Sequence, residues 1–358
     1  MNTQVVLVGL YRYLNIPTRI LRPLIDKLEG VNAHTIFYKN YDVNIFSLPS
    51  PKEEEIFVDT IKQLNPQIVG ISVLSPYVEI AKRLTYLIKK NSSSLVVWGG
   101  VGPTISPDVH IKETDVICVG EGERAFTELT EAVRDGKDYK KIKNLWINDG
   151  EKIIKNPMDP LIQDLDALPF TEYGNENMFF IESNKLSRQD PELIGSTLYL
   201  LTSRGCPYSC FFCVENKFHD IFKGLGKYVR RRSVDSVIKE AQWNLNKPNN
   251  KKDNILFIDE VFGSNPTWID EFESRYKKEV GLPFFAEYHP KTLKSRVLKK
   301  LVNAGIEVIN FGLQTGSDYI RNEIYERPGT NEEILSLAKE INNYGVKIMY
   351  DIILDNDF

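Results

Sequence analysis

The chain has little cysteine, only 4 in 358 residues, and three of those fall between positions 206 and 213. That distribution excludes a disulfide scaffold and fits a reducing compartment, so the cytoplasm is the expected location. No apolar run approaches the ~20 residues needed to span a bilayer. The first residues show no basic, apolar, small-residue pattern of a secretory signal. There is no internal repeat and no low-complexity segment. A net charge of −4 gives no broad attraction for a polyanion, so nucleic acid is not an expected partner. What remains is a globular composition, 42% hydrophobic and 26% charged, long enough for two domains with proper cores.

The clustered cysteines are Cys206, Cys210 and Cys213, in Thr202-Ser203-Arg204-Gly205-Cys206-Pro207-Tyr208-Ser209-Cys210-Phe211-Phe212-Cys213. A disulfide would use two and leave one. A closed zinc site needs four ligands, and the nearest fourth is His219, as in a zinc knuckle. Three soft sulfur ligands also suit a cubane iron–sulfur cluster with one iron free of protein ligands. The apolar run Leu198-Tyr199-Leu200-Leu201 precedes the cluster, which places it on a strand-end loop, where barrel enzymes carry their chemistry.

Residues 1–135 alternate strand and helix. Strands are expected at 4–9, 33–38, 67–73, 95–98 and 115–119, and helices at 19–28, 53–64, 78–90 and 124–134. This pattern predicts a parallel sheet covered on both faces, with ligands at the carboxyl ends of strands. Glycines mark those ends: Gly99-Gly100-Val101-Gly102-Pro103-Thr104, then Gly120-Glu121-Gly122-Glu123. Cys118 reads as a buried core thiol and His110 as a surface residue. Residues 136–195 read as a hairpin around Asp149-Gly150 followed by a linker, with 171–195 unassigned. From 196 a second strand–helix series begins, with strands at 198–201, 254–258, 283–290, 307–313 and 346–354. Ser233 is a helix N-cap, and Arg230-Arg231-Arg232 before it reads as a solvated loop run. His289 reads as structural.

The spacing Cys-x3-Cys-x2-Cys, with Phe212 before the last cysteine, resembles the radical S-adenosylmethionine (SAM) superfamily. The glycine pattern of the first half resembles the cobalamin (B12)-binding subgroup of that superfamily. The resemblance implies an α/β protein with three parts. These are a cobalamin-binding-like Rossmann domain over 1–135, a hairpin and linker over 136–195, and a partial (β/α)6 TIM-type radical SAM barrel over 196–358, apparently truncated at the C-terminus. It implies a [4Fe-4S] cluster on Cys206, Cys210 and Cys213, with SAM on its open iron. Contacts to SAM would come from Phe212, Asp259, Glu260, Gln314, Ser317 and Arg327. Cobalamin would lie against Gly99, Gly100, Thr104, Glu121 and Gly122. The sequence departs from the wider cobalamin-binding pattern in one respect: Leu10-Tyr11-Arg12-Tyr13 after the first strand contains no histidine to ligate cobalt.

The implied activity is reductive cleavage of SAM to a 5′-deoxyadenosyl radical, with cobalamin-dependent methyl transfer or rearrangement of a small-molecule or biosynthetic-intermediate substrate. A flavodoxin- or ferredoxin-like reductant is the implied partner. Two other readings stand beside it: an iron–sulfur electron-transfer or SAM-binding protein without radical catalysis, and a tRNA methylthiolating enzyme. The second would carry three cysteines in its first domain, where this chain has only Cys118.

Overall fold

The computed structural model describes residues 2–11, 14–40, 47–248 and 250–354. The chain divides into two compact units, Met1–Pro160 with Pro169–Ile194, and Leu161–Leu168 with Gly195–Phe358.

The first unit is built on β1 (Thr3–Leu10), β2 (Val31–Tyr38), β3 (Ile68–Ser72), β4 (Leu95–Gly99) and β5 (Val116–Cys118). All four pairings among them are parallel, in the order β2-β1-β3-β4-β5. Alternate residues of a strand point to opposite faces, so Val6, Val8 and Leu10 enter one core while Val5 and Leu7 enter the other. Helices α1 (Ile16–Asp26), α2 (Pro51–Leu64), α3 (Val78–Asn91), α4 (Val101–Ile105), α5 (Pro107–His110) and α6 (Glu123–Asp135) connect the strands. Phe57 and Ile61 of α2 and Leu84 and Ile88 of α3 close the first core. Ile25 of α1 and Phe126 and Leu129 of α6 close the second. Burial on both faces is what a parallel sheet requires. Helix α2 begins with a capping box between Ser50 and Glu53.

The residues expected as hairpin and linker extend this sheet at both edges. β6 (Leu145–Asn148) pairs antiparallel with β5, and β7 (Ile153–Lys155) with β6. At the far edge β8 (Met178–Glu182) runs parallel to β2, and β9 (Lys185–Ser187) folds back on β8. A buried ion pair pins this returning segment. Arg19 meets Asp190 through two bonds of 2.7 and 2.8 Å, and its guanidinium lies 4.5 Å from the Phe37 ring and 4.7 Å from that of Tyr173. Bidentate geometry and aromatic faces compensate the desolvation of both charges.

The second unit carries β10 (Thr197–Leu200), a short pair β11 (Ser203–Arg204) and β12 (Arg230–Arg231), then β13 (Asn254–Phe257), β14 (Phe284–Tyr288), β15 (Ile306–Gln314) and β16 (Lys347–Ile352). Its helices are α7 (Val214–Ile221), α8 (Val234–Leu245), α9 (Pro266–Glu279), α10 (Ser295–Ala304) and α11 (Asn331–Asn343). Among the described residues, β10-β13-β14-β15-β16 form a five-stranded, all-parallel arc in sequence order, the succession of a βα barrel wall. An aromatic core of Phe257, Phe262, Phe272, Tyr276 and Phe284 packs beneath it, largely edge to face. Ser233 accepts the Ser236 N–H as the α8 cap, and Gly305, at φ +108°, ends α10. No helix among the described residues is long and apolar enough to cross a membrane.

Candidate functional site

In the second unit the cysteine loop opens where β10 ends. Asp259, just beyond β13, accepts from the Thr202 N–H at 3.1 Å, the Thr202 hydroxyl at 2.7 Å and the Ser203 hydroxyl. Its buried carboxylate therefore anchors the entry of the loop to the neighbouring strand. Burial pushes its pKa up against those hydrogen bonds.

The three arginines expected as a solvated run hold the same entry from the other side. Arg230 is buried and donates to the carbonyls of Tyr228 and Ile162. Arg231 donates to Thr202 Oγ1 at 3.3 Å and Ser264 Oγ at 2.7 Å, with its guanidinium 5.3 Å from the Trp268 ring. Arg232 pairs with the buried Glu240. The reason is the β11–β12 pairing, which turns this run back under the cysteine loop.

Cys206 itself is gripped by α7. Glu215 accepts the Cys206 N–H at 2.8 Å and the Tyr228 hydroxyl at 2.7 Å, while the His219 Nε2 lies 3.0 Å from the Cys206 carbonyl oxygen. Gly205 stands at φ +85°, and a Cβ there would meet the Tyr228 carbonyl oxygen at 2.7 Å. Only glycine allows the loop to pass so close. The far side of the loop is met by residues after β15. The Phe211 N–H donates to the Tyr325 carbonyl at 2.9 Å, and Phe212 stands edge-on to the Tyr325 ring at 5.0 Å. Arg327 Nη1 lies 3.5 Å from Cys210 Sγ. Tyr208 stacks on His289 at 3.7 Å. His289 Nδ1 accepts the Lys291 N–H, its buried Nε2 has no partner, and burial lowers its pKa to about 3.

The structure thus gathers Phe212, Glu260 and Arg327 around the cysteines, and places Asp259 beneath them as an anchor. Gln314 sits at φ +67° on a register shift in β15. Ser317 Oγ accepts the Ile320 N–H at 3.3 Å, at the start of the π-helical turn Ile320–Ile324. Glu215, Tyr228 and His289 were not among the expected site residues. Glu215 carried a local signal, an acid two residues past the last cysteine, but its partner Tyr228 is fixed only by the fold.

All four cysteines are free thiols. Burial, then Glu215, Glu260 and Cys210, push Cys206 up to about 12, and the same groups raise Cys213. Glu260, though solvent-accessible, is crowded by protein; desolvation first, then Glu215, Glu287 and Asp259, raise it to about 7. Cys206 and Cys213, half-buried beside carboxylates, are held as neutral thiols, and an iron core would supply the positive charge that deprotonates them as ligands. The donor set fits a cluster. A zinc site would need His219 as its fourth ligand, and the His219 Nε2 lies instead 3.0 Å from the Cys206 carbonyl oxygen. Among the described residues no three His, Cys, Asp or Glu side chains converge as ligands of one ion. A cubane instead binds each thiolate through a separate iron.

In the first unit the strand order reverses between β1 and β3, the point at which open α/β sheets bind ligands. The loop after β4 lies against the chain that leaves β3. Gly100 has φ +99°, and a Cβ there would meet the Val73 carbonyl oxygen at 3.1 Å; at Gly102 the same oxygen would be 3.2 Å away. Thr104 donates to the Gly100 carbonyl at 2.8 Å and accepts the Gly120 N–H at 3.0 Å, which joins the loops after β4 and β5. The Glu121 carbonyl receives Asn144 at 3.1 Å, and Gly122 opens α6. A Cβ added at Gly99, at the end of β4, would meet the Cys118 Cβ at an ordinary 3.9 Å. Where a cobalt-ligating histidine would follow β1 stands Tyr11, stacked on Tyr77 at 4.8 Å; residues 12–13 lie outside the described residues. His110, expected at the surface, is buried against Trp98, because α5 folds directly onto β4. Cys118 is buried, with its pKa raised to about 12 by burial first and Glu123 second.

The profile of the radical SAM superfamily matches residues 200–356, and that of the B12 binding domain matches residues 30–130. The chain carries a radical SAM domain and, ahead of it, a B12-binding domain. It is 28% identical over 299 residues to an uncharacterized methyltransferase of Pyrococcus horikoshii, covering 82% of this chain and 61% of the relative. It is 24% identical over 332 residues to cytidylyl-2-hydroxyethylphosphonate methyltransferase of Streptomyces wedmorensis, covering 82% and 59%. The chain thus spans about three fifths of the length of these curated relatives. Its fold is that of the radical SAM methyltransferase TsrM from Kitasatospora setae, solved with cobalamin and a [4Fe-4S] cluster. The TM-score is 0.75 and the identity 17%, with 98% of this chain and 69% of that chain covered.

Proposed function

We propose that this protein is a radical SAM enzyme that carries a [4Fe-4S] cluster on Cys206, Cys210 and Cys213 and binds cobalamin on its first unit. In this reading it performs methyl transfer to, or rearrangement of, a small-molecule substrate. The observation that carries the reading is the cysteine loop. Three free thiols share one loop, Cys210 buried and Cys206 and Cys213 half-buried, and the buried carboxylates of Asp259 and Glu215 hold that loop at Thr202 and at Cys206. When bound, the cluster supplies the electron that cleaves SAM, and cobalamin supplies a methyl carrier.

The chain's own residues hold and orient. Asp259 and Glu215 fix the loop, Glu260 offers an unpaired carboxylate to the SAM ammonium, and Phe212 offers a ring face beside the cluster. Gly100 and Gly102 let a large ligand approach the sheet's switch point. A reductant of flavodoxin or ferredoxin type, a cytoplasmic location and no nucleic-acid partner complete the proposal.

Anaerobic reconstitution with iron and sulfide, followed by reduction with SAM, tests it. The expected product is 5′-deoxyadenosine, with cluster and cobalamin absorbance in the same spectrum. A fully loaded cluster that leaves SAM intact would favour the electron-transfer reading instead.

A further inference from the structure

The two polar groups that press on the cysteine loop from opposite sides carry opposite charge. On one side Arg327 places Nη1 3.5 Å from Cys210 Sγ, and its Nε donates to the Gly312 carbonyl at 2.9 Å. Gly312 makes room for this: a Cβ there would stand 2.8 Å from Arg327 Nη2. The guanidinium is therefore laid against the end of β15 with one edge on a sulfur. On the other side the buried Glu215 holds Oε2 2.8 Å from the Cys206 nitrogen, and Tyr228 braces the same oxygen at 2.7 Å.

We propose that Arg327 and Glu215 are positioning residues of opposite sign that set the reduction potential of the cluster on Cys206, Cys210 and Cys213. The inference rests on the cluster reading above. Reduction adds one negative charge to the cluster. An N–H donor on a ligating sulfur, carried by a cation, stabilises the reduced form, and a carboxylate fixed beside a ligand opposes it. Both act at short range in a partly desolvated loop, where charge is weakly screened. The arrangement makes Arg327 an outer ligand of Cys210.

The test is a redox titration of the reconstituted full chain, followed by the electron paramagnetic resonance signal of the reduced cluster, in wild type, Arg327→Gln and Glu215→Gln. Glutamine at 215 keeps an oxygen for the Cys206 N–H and the Tyr228 hydroxyl and removes only the charge. At the wild-type midpoint, Arg327→Gln is expected to lower the reduced-to-oxidised ratio about tenfold, a shift of about 59 mV for a one-electron couple. Glu215→Gln is expected to raise it. Arg327→Lys, which keeps the charge but loses the planar fork, falls between wild type and Arg327→Gln, and serves if the glutamine variant loses iron. Midpoints that coincide with wild type in loaded proteins, or that shift in the same direction, overturn the inference. A wild-type chain that takes up no iron overturns the cluster reading itself, a failure seen in the metal content before any titration.

Discussion

The loops that form the two sites are held in different ways. Those after β4 and β5 are held by backbone and one hydroxyl: Gly100 and Gly102 lie against the Val73 carbonyl, and Thr104 joins Gly100 to Gly120. The cysteine loop is held by ionic side chains, Asp259 and Glu215 below and beside it, Arg231 at its entry and Arg327 at its far edge. The difference follows from what each must hold. A large organic ligand needs shape and close backbone approach, which glycine provides. An ionic cluster needs its charge balanced where water is scarce, which buried acids and guanidinium groups provide.

The sharpest way to break this contrast is to remove a ligand. Cys210→Ala is expected to abolish iron and sulfide retention, read as metal per chain after anaerobic reconstitution. Retention equal to wild type would show that the charges hold nothing. Gly205→Ala comes next. A left-handed φ costs an L-residue about 1–2 kcal/mol, and here the new Cβ also meets a backbone oxygen that cannot rotate away. The variant is expected to unfold at lower temperature and lose cluster together. At Gly100 the backbone, φ +99° and ψ −164°, lies in a region essentially confined to glycine, while the contact is looser, 3.1 Å against 2.7 Å. Gly100→Ala is expected to lower the melting temperature and to weaken cobalamin binding in an absorbance titration while iron retention stays at the wild-type level. Iron lost and cobalamin binding kept in the folded variant would sink the comparison.

How much of this was legible in the sequence depended on how local each cause is. The alternation of strand and helix was legible because burial on both faces leaves continuous apolar runs, as in Val5 to Val8. The cysteines and the glycine loops were legible because their chemistry lies in contiguous residues. The returning segment before the second unit was not, since it is fixed by Arg19 reaching Asp190 across the chain. The arginines 230–232 looked like a solvated run because the short β11–β12 pairing that buries them has no periodic signature. His110 looked exposed for a similar reason: α5 is a four-residue turn, too short to show a buried face.

The smallest effect expected is electrostatic, and its sign differs between the units. Glu260 is raised from its ordinary 4.5 to about 7, by desolvation and then by Glu215, Glu287 and Asp259. The folded apo-protein therefore keeps this proton where the unfolded chain has lost it. The stabilisation is complete below about pH 4.5 and disappears as pH rises through about 7. Glu53 behaves oppositely. Burial opposes its ionisation, but the Ser50 N–H, the Lys39 ammonium and the Asn184 N–H together hold it below 4.5, so its stabilisation is present above that value and is lost as pH falls. Glu260→Gln should flatten the decline of the apo-protein's melting temperature between pH 5 and 8. Glu53→Gln should leave that slope intact and lower the melting temperature throughout, because a buried Lys39 would face Glu182 alone. A Glu260→Gln profile parallel to wild type would show that the carboxylates around the cysteine loop do not repel one another in the folded chain, and the electrostatic half of the contrast would fail.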